Sequence, residues 1–216
     1  MNNIPVVIVP VLNQYEKADR LFKSLDFEIQ KFLIIDNGNN PNWHPVVDCA
    51  KETYVYKIPN NLGVAGSWNF GIKATAKFYG WMILNDDIYF RPGALKDFFS
   101  QAAPDNIVEC GGFHAFWLGC EVVKKIGIFH EGFHPAYYED TDYTMRARYA
   151  RINILQSNAR VIHEHSSTVK SSENYRLKNQ HITWQHNKTL YAQRAINPEK
   201  IALEWDLQKR LELGWD

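Results

Sequence analysis

Four short apolar runs recur along the first half of the chain, and each gives way to amides or carboxylates. Val6–Leu12 is a continuous β-branched run followed by Asn13, and Lys31–Asp36 stops at Asp36-Asn37-Gly38. Thr53–Ile58 leads to Asn60-Asn61, and Trp81–Leu84 leads directly into Asn85-Asp86-Asp87. Uninterrupted apolar strands are buried on both faces, the pattern of a parallel sheet covered by helices. Helical spacing fills the intervals. Ala18, Leu21, Phe22 and Leu25 follow a capping-box-like Asn13 and Glu16, and Trp68, Ile72, Ala76 and Tyr79 follow the glycine-bearing stretch Asn60 to Gly66. Strand and helix alternating in short units predict an α/β layered fold with a mostly parallel central sheet. In open parallel sheets ligands bind beyond the carboxyl ends of the strands. The amides and acids of this chain fall at those ends, where carboxylates repel one another unless a cation or ligand uses them.

The second half is less regular. Pro92 opens a helix through Leu95, Phe98, Phe99 and Ala102, and Ile107–Leu118 reads as a strand. Glu121–Ile126 reads as a short helix closed by Gly127, and Glu139–Ala150 as a helix with three acids in its first turn. Ile152–Gln156 and Arg160–His165 read as strands, and Leu177–Arg194 and Pro198–Leu213 as helices. No linker rich in Gly, Pro or Ser interrupts the chain. The expected organisation is therefore one domain over 1–170 with a helical extension over 171–216 packed on it.

Composition narrows the function classes. With 216 residues, 45% of them hydrophobic and 22% charged, the chain can bury a sizeable core and does not read as disordered. The apolar stretch Ile4 to Leu12 is too short to cross a membrane, and no basic residue precedes it as in a secretory signal. Cys49, Cys110 and Cys120 form no Cys-x-x-Cys pair, which argues against a disulfide scaffold or zinc ribbon. The expected setting is soluble and cytoplasmic, with no transmembrane segment. Net charge is zero, yet Tyr143 to Lys200 holds ten Lys and Arg against three acids. Such a segment suits phosphates, or is simply a solvated face.

Five motifs carry chemistry. Asn85-Asp86-Asp87, at a strand end, suits a hard divalent cation or a plain Asx turn. Tyr138-Glu139-Asp140-Thr141-Asp142 can supply a general base, or cap a helix through Asp140 or Thr141. His163-Glu164-His165 puts two histidines on one face of a strand, where one can complete a metal site begun by Asp87. His130-Glu131-Gly132-Phe133-His134 spells the zinc-protease pattern, but Gly132 and Pro135 break the helix that this chemistry requires. Asn60 to Gly66 is neither a Walker loop nor a dinucleotide fingerprint, though its backbone could approach a diphosphate.

Taken in order, VVIVPVLNQ, LIIDNGNN, PNNLGVAGSWNFGI, WMILNDDIYFRPGAL, GIFHEGFHPAYYEDTDYTMRAR and ARVIHEHSST resemble the nucleotide-sugar glycosyltransferases of family 2, with the GT-A fold, especially the rhamnosyltransferase-like branch. The matching stretches span Val6 to about Thr168. The resemblance implies that Pro10, Val11 and Leu12, with Asp36, line a nucleotide-base pocket, and that Asn61, Gly63 and Gly66 lie near the donor. It implies Asp86 near the ribose and Asp87 on a cation, manganese or magnesium (Mn2+ or Mg2+), that bridges the diphosphate. His163, with His165 as second choice, would lie at that metal. Asp140 would be the catalytic base and Glu139 its neighbour. Asn85 departs from the family, where many relatives carry Asp. The Gln-x-x-Arg-Trp motif of processive synthases is absent, which favours a single addition. The implied reaction is an inverting, metal-dependent transfer from a nucleoside-diphosphate sugar to an acceptor hydroxyl. The acceptor stays open, a glycan being favoured and a hydroxymethylated DNA base being the other option. Phe113, Phe116 and Trp117 are candidates to stack on it. A sugar-nucleotide-forming nucleotidyltransferase and a non-catalytic binding module are the alternatives.

Overall fold

The structure, a computed structural model, describes residues 3–164 and 182–196. The elements run β1 (Ile4–Val11), α1 (Tyr15–Ser24), β2 (Ile29–Asp36), β3 (Ala50–Lys57), α2 (Gly63–Ala74), β4 (Gly80–Leu84) and β5 (Ile88–Phe90). They continue with α3 (Ala94–Phe99), β6 (Asn106–Glu109), β7 (Ala115–Gly119), α4 (Cys120–Ile126), α5 (Glu139–Tyr149), β8 (Asn153–Gln156), β9 (Val161–His163) and α6 (Trp184–Ala195). The first four strands expected from the sequence are present with ends shifted by a few residues.

Seven strands form the central sheet in the order β3-β2-β1-β4-β7-β6-β8. Strands β1 to β4 are parallel, β7 runs antiparallel to both β4 and β6, and β8 is parallel to β6. The alternation of side chains across a strand explains the unbroken apolar runs. Val7, Val9 and Val11 of β1 enter one core, with Phe22, Phe32, Met82 and Trp117. Val6 and Ile8 enter the core on the opposite face, with Leu33, Trp68, Ile83 and Phe116. Each fully buried side chain of this size contributes about 1.5–3 kcal/mol. The edge strand β3 is exposed over Lys51–Val55, and Lys51 and Glu52 there help to keep another strand from pairing with it.

Several expectations need correction. Ile107–Leu118 is two antiparallel strands, because Gly111 and Gly112 take φ of +74° and +126° and reverse the chain between them. Asn13 caps nothing: it sits at φ 59°, and Gln14 holds the cap position of α1 without a side-chain bond. Neither Asp140 nor Thr141 caps α5, whose first residue follows a left-handed Tyr138. Phe116 and Trp117 cannot stack on an acceptor, since both are fully buried within the two cores. The strand expected over Arg160–His165 is β9, with His165 outside the described residues. The helix expected over Pro198–Leu213 also lies outside them, and the described part of Leu177–Arg194 is α6. No described helix is long and apolar enough to cross a membrane.

Candidate active site

A cleft of about 410 Å³ opens beyond the carboxyl ends of β1, β2 and β4. Pro10, Val11 and Leu12 form one wall, and Asn85-Asp86-Asp87 with His163 and His114 form the next. Asn61, Gly63 and Trp68 of the α2 entrance, Phe113, and Pro135–Tyr137 with Glu139 and Asp140 close it. The placement follows from topology. Parallel strands β1 and β4 are neighbours, so their polar ends meet.

Asp86 ties these ends together, its Oδ2 accepting the Leu12 N–H at 3.3 Å. Burial, and then the neighbouring Asp87, push the Asp86 carboxyl up to about 7. Asp87 Oδ1 lies 3.3 Å from His163 Nε2. That contact exists because β5 and β9 pair with Ile88 opposite His163, an arrangement reinforced by the Glu164 N–H donating to the Asp87 carbonyl at 2.9 Å. The His163 ring stacks on His114 at 4.3 Å and 16°.

Among the described residues there is no cluster of three or more His, Cys, Asp and Glu that could cage a metal ion. Asp87 and His163 nevertheless fit a shared site. Magnesium-like cations keep several waters and take one or two protein ligands together with substrate phosphates. An oxygen–nitrogen pair at the mouth of a cleft suits that mode and not a closed protein cage.

On the opposite wall, Tyr137 and Tyr138 both adopt left-handed backbone, with φ of 77° and 75°, before α5 begins. Such residues cost roughly 1–2 kcal/mol each without glycine's freedom. This turn places Glu139 and Asp140 on the cleft. Glu139 is buried, its Oε2 has no hydrogen-bond partner among the described residues, and burial followed by Asp140 pushes its carboxyl up to about 8. Asp140 is half-buried, and its Oδ1 accepts from the Thr141 N–H at 2.7 Å and the Thr141 hydroxyl at 3.2 Å. Two adjacent carboxyls in unlike surroundings can take separate roles, one as a neutral acid and one as a base.

The Glu139 environment also makes a stability prediction. An acid whose folded pKa is raised keeps its protonated form in the native state while the unfolded chain ionises. Stability is therefore expected to fall as pH rises from the ordinary value of 4.5 through about 8. Urea denaturation midpoints measured across that range should decline, and the decline should flatten in Glu139→Gln.

The donor-side loop is latched to this wall. The Val64 N–H donates to the Pro135 carbonyl at 2.8 Å, and Gly63 sits at φ +72° where a Cβ would lie 2.8 Å from that same oxygen. Asn61 Oδ1 accepts the Gly63 N–H at 2.8 Å, and buried Asn37 accepts the Leu62 N–H at 2.9 Å. Residues 130–134 form no helix. Glu131 instead binds Asn69 at 2.9 Å and Lys73 at 3.3 Å, which removes the protease pattern.

Two donor positions expected from the sequence are corrected. Asp36 does not line the cleft: its carboxylate is fully buried and accepts from Tyr15 Oη and the backbone of Gly38, Asn39 and Asn40, shaping the loop after β2. Gly66 lies within α2, where an added Cβ would meet Leu62, and it also does not line the cleft. Part of the basic segment is committed too, since Arg146 and Arg194 both bind Asp142. His114, Trp68, Asn37 and Tyr137 also line the cleft, although the sequence assigned none of them a role there. His114 is carried there by the β4–β7 pairing, with the Asn85 N–H donating to its carbonyl at 2.9 Å.

No family model matches the chain. A galactofuranosyl glycosyltransferase of Leishmania donovani is 26% identical over 46% of this chain, which spans 26% of that protein. Residues 1–349 of S. aureus TarS, crystallised with UDP, superpose with a TM-score of 0.51 at 18% identity, over 74% of this chain and 60% of that one. A point mutant of the Drosophila β1,4-galactosyltransferase 7, in complex with manganese, UDP-Gal and xylobiose, superposes with a TM-score of 0.55 at 10% identity, over 80% and 75% of the two chains. The fold is GT-A. The fold expected from the motif order is thus the fold observed.

Proposed function

We propose that the chain transfers one sugar from a UDP-linked donor to an acceptor hydroxyl, with inversion and with the help of Mn2+ or Mg2+. The observation that carries the proposal is the meeting of Asp87 with His163 on one wall of the cleft and of Asp140 with Glu139 on the other. The GT-A relatives crystallised with UDP or UDP-Gal support UDP as the nucleotide. The rhamnosyltransferase-like branch rests on motif order alone, and the reducing cytoplasm suits the three free thiols.

In this reading Pro10, Val11 and Leu12 flank the base, and Asn61 and Gly63 approach the diphosphate. Asp86 lies near the ribose and keeps β1 and β4 in register at the donor. Asp87 and His163 would hold the cation, and the chemistry it would supply when bound is neutralisation of charge on the diphosphate. Asp140 takes the acceptor hydroxyl's proton as that oxygen forms its bond to the anomeric carbon and the bond to UDP breaks. Glu139, protonated at neutral pH, spares Asp140 a second negative charge at its side. One base and one direct displacement give inversion. A glycan acceptor is favoured, with Phe113 at the cleft as an aromatic contact; xylobiose accompanies the galactosyltransferase relative.

Calorimetry and thermal denaturation with UDP test this. UDP with Mn2+ is expected to bind, and at one hundred times its Kd to stabilise the fold by about 2.7 kcal/mol. Chelator or Asp87→Ala should remove most of that stabilisation. UDP binding indifferent to both treatments would overturn the metal assignment, and no binding of any nucleoside diphosphate would overturn the donor. Release of pyrophosphate from a nucleoside triphosphate would favour the nucleotidyltransferase instead.

A further inference from the structure

Helix α6 is attached in an unusual way. A surface helix ordinarily docks through an apolar stripe, yet the buried residue of α6 is an amide, Asn187. Burying an amide is unfavourable unless its hydrogens find acceptors. Asn187 Nδ2 donates to the carbonyl of Ala136 at 2.9 Å and to that of Tyr137 at 3.1 Å. Those two carbonyls flank Tyr137, the first of the two consecutive left-handed residues, and Ala136 and Tyr137 both line the cleft. The aromatic contacts of the helix fall on the same turn. Trp184 packs edge-on against Tyr137 at 5.2 Å and tilted against Tyr138 at 5.1 Å, and Tyr191 meets Tyr138 at 5.6 Å. One helix turn further, Arg194 Nε donates to Asp142 Oδ1 at 2.7 Å, gripping the first turn of α5.

We infer that α6 is a positioning element for the cleft, in which Asn187 holds the peptide planes on both sides of Tyr137 and so fixes the direction in which Glu139 and Asp140 enter the site. The physical reason is that left-handed tyrosines do not persist by local preference; they need neighbours that over-determine them. Asn187 supplies the polar restraint, and Trp184 and Tyr191 supply the packing. Asn187 touches no reacting atom and acts through the turn. The role in catalysis rests on the function proposed above, whereas the role in holding the turn does not.

Amide hydrogen exchange on the intact chain separates the two. In Asn187→Leu, which keeps the bulk and removes both donors, exchange across residues 136–142 is expected to accelerate about tenfold or more, as loss of one or two net hydrogen bonds predicts. Exchange in β1, β2 and β4 should remain as in the parent, which shows that the fold is intact. Asn187→Gln, with donors retained, should recover part of the protection. UDP affinity with Mn2+ should be unchanged, while UDP release from UDP-galactose or UDP-GlcNAc falls about a hundredfold in kcat, as for displaced catalytic groups. Unchanged exchange over 136–142, or acceleration spread equally through the sheet, would overturn the inference. If Asn187→Leu does not fold, Asn187→Ser, too short to reach both carbonyls, carries the same comparison. A parent chain that releases no UDP from either sugar nucleotide would count against the proposed function, and the exchange pattern would still decide the role of α6.

Discussion

Asp140→Asn is expected to lower the turnover of sugar transfer by about a hundred- to ten-thousandfold, the span of a lost general base. The substitution is nearly isosteric, and the Asn oxygen can still accept from the Thr141 N–H and hydroxyl, so melting temperature and UDP affinity should hold. The neighbouring acid does not substitute for it. Removing the Asp140 charge takes away the lesser cause of the raised Glu139 pKa, but burial, the larger cause, remains. Burial therefore still favours the protonated form of Glu139, which has no base to offer. Glu139→Gln, which mimics that neutral form, is the matched control and should retain turnover within about tenfold. A UDP-release assay on both variants decides the matter. Loss in Glu139→Gln with retention in Asp140→Asn would reverse the two roles.

The largest stability effect is expected at Asp142. Its carboxylate is fully buried and accepts from Arg146 Nε at 2.9 Å and from Arg194 Nε at 2.7 Å. Arg146 is itself buried and donates its other nitrogens to the carbonyls of Ile126 and Ile128. Asp142→Ala strands a buried guanidinium without its counter-charge, a defect that costs about 3–5 kcal/mol. For a chain of this size the midpoint of thermal unfolding should drop on the order of 10 °C. Arg194→Ala should cost less, because Arg146 still neutralises Asp142 and Arg194 is partly solvated. Differential scanning calorimetry on the two variants, read as a difference, checks the ranking. Equal losses would mean that the pair acts as one network instead of a core ion pair with an outer partner.

Much of the cleft was legible along the chain because a parallel sheet converts sequence order into place. Polar residues that end neighbouring parallel strands emerge at the same sheet edge, so Asn61, Asp86 and Asp87 fall into one group by their positions, whereas Pro10 to Leu12 were implied by the family resemblance. The same argument failed for Asp36. It too ends a strand, but the loop after β2 folds back and offers its carboxylate three backbone donors, Tyr15 of α1 adds a fourth, and nothing local announces which way a loop will turn. The aromatic stretch before Gly119 misled for a related reason. Rich aromatic content is shared by stacking platforms and by cores, and only the fold tells Phe113, which lines the cleft, from Phe116 and Trp117, which are enclosed in the two cores.

The apolar periods and their polar stops were enough to determine the layered α/β architecture and the edge on which chemistry sits, because strand burial and chain direction are local properties repeated along the chain. The contact of Asp87 with His163, the stacking of His114 beside it, the raised pKa of Glu139 and the grip of Asn187 on the turn before α5 were decided by the tertiary structure alone. Each depends on bringing together groups from separate parts of the chain, or on excluding water from one of them. Distance through space and local dielectric are not written in the order of residues.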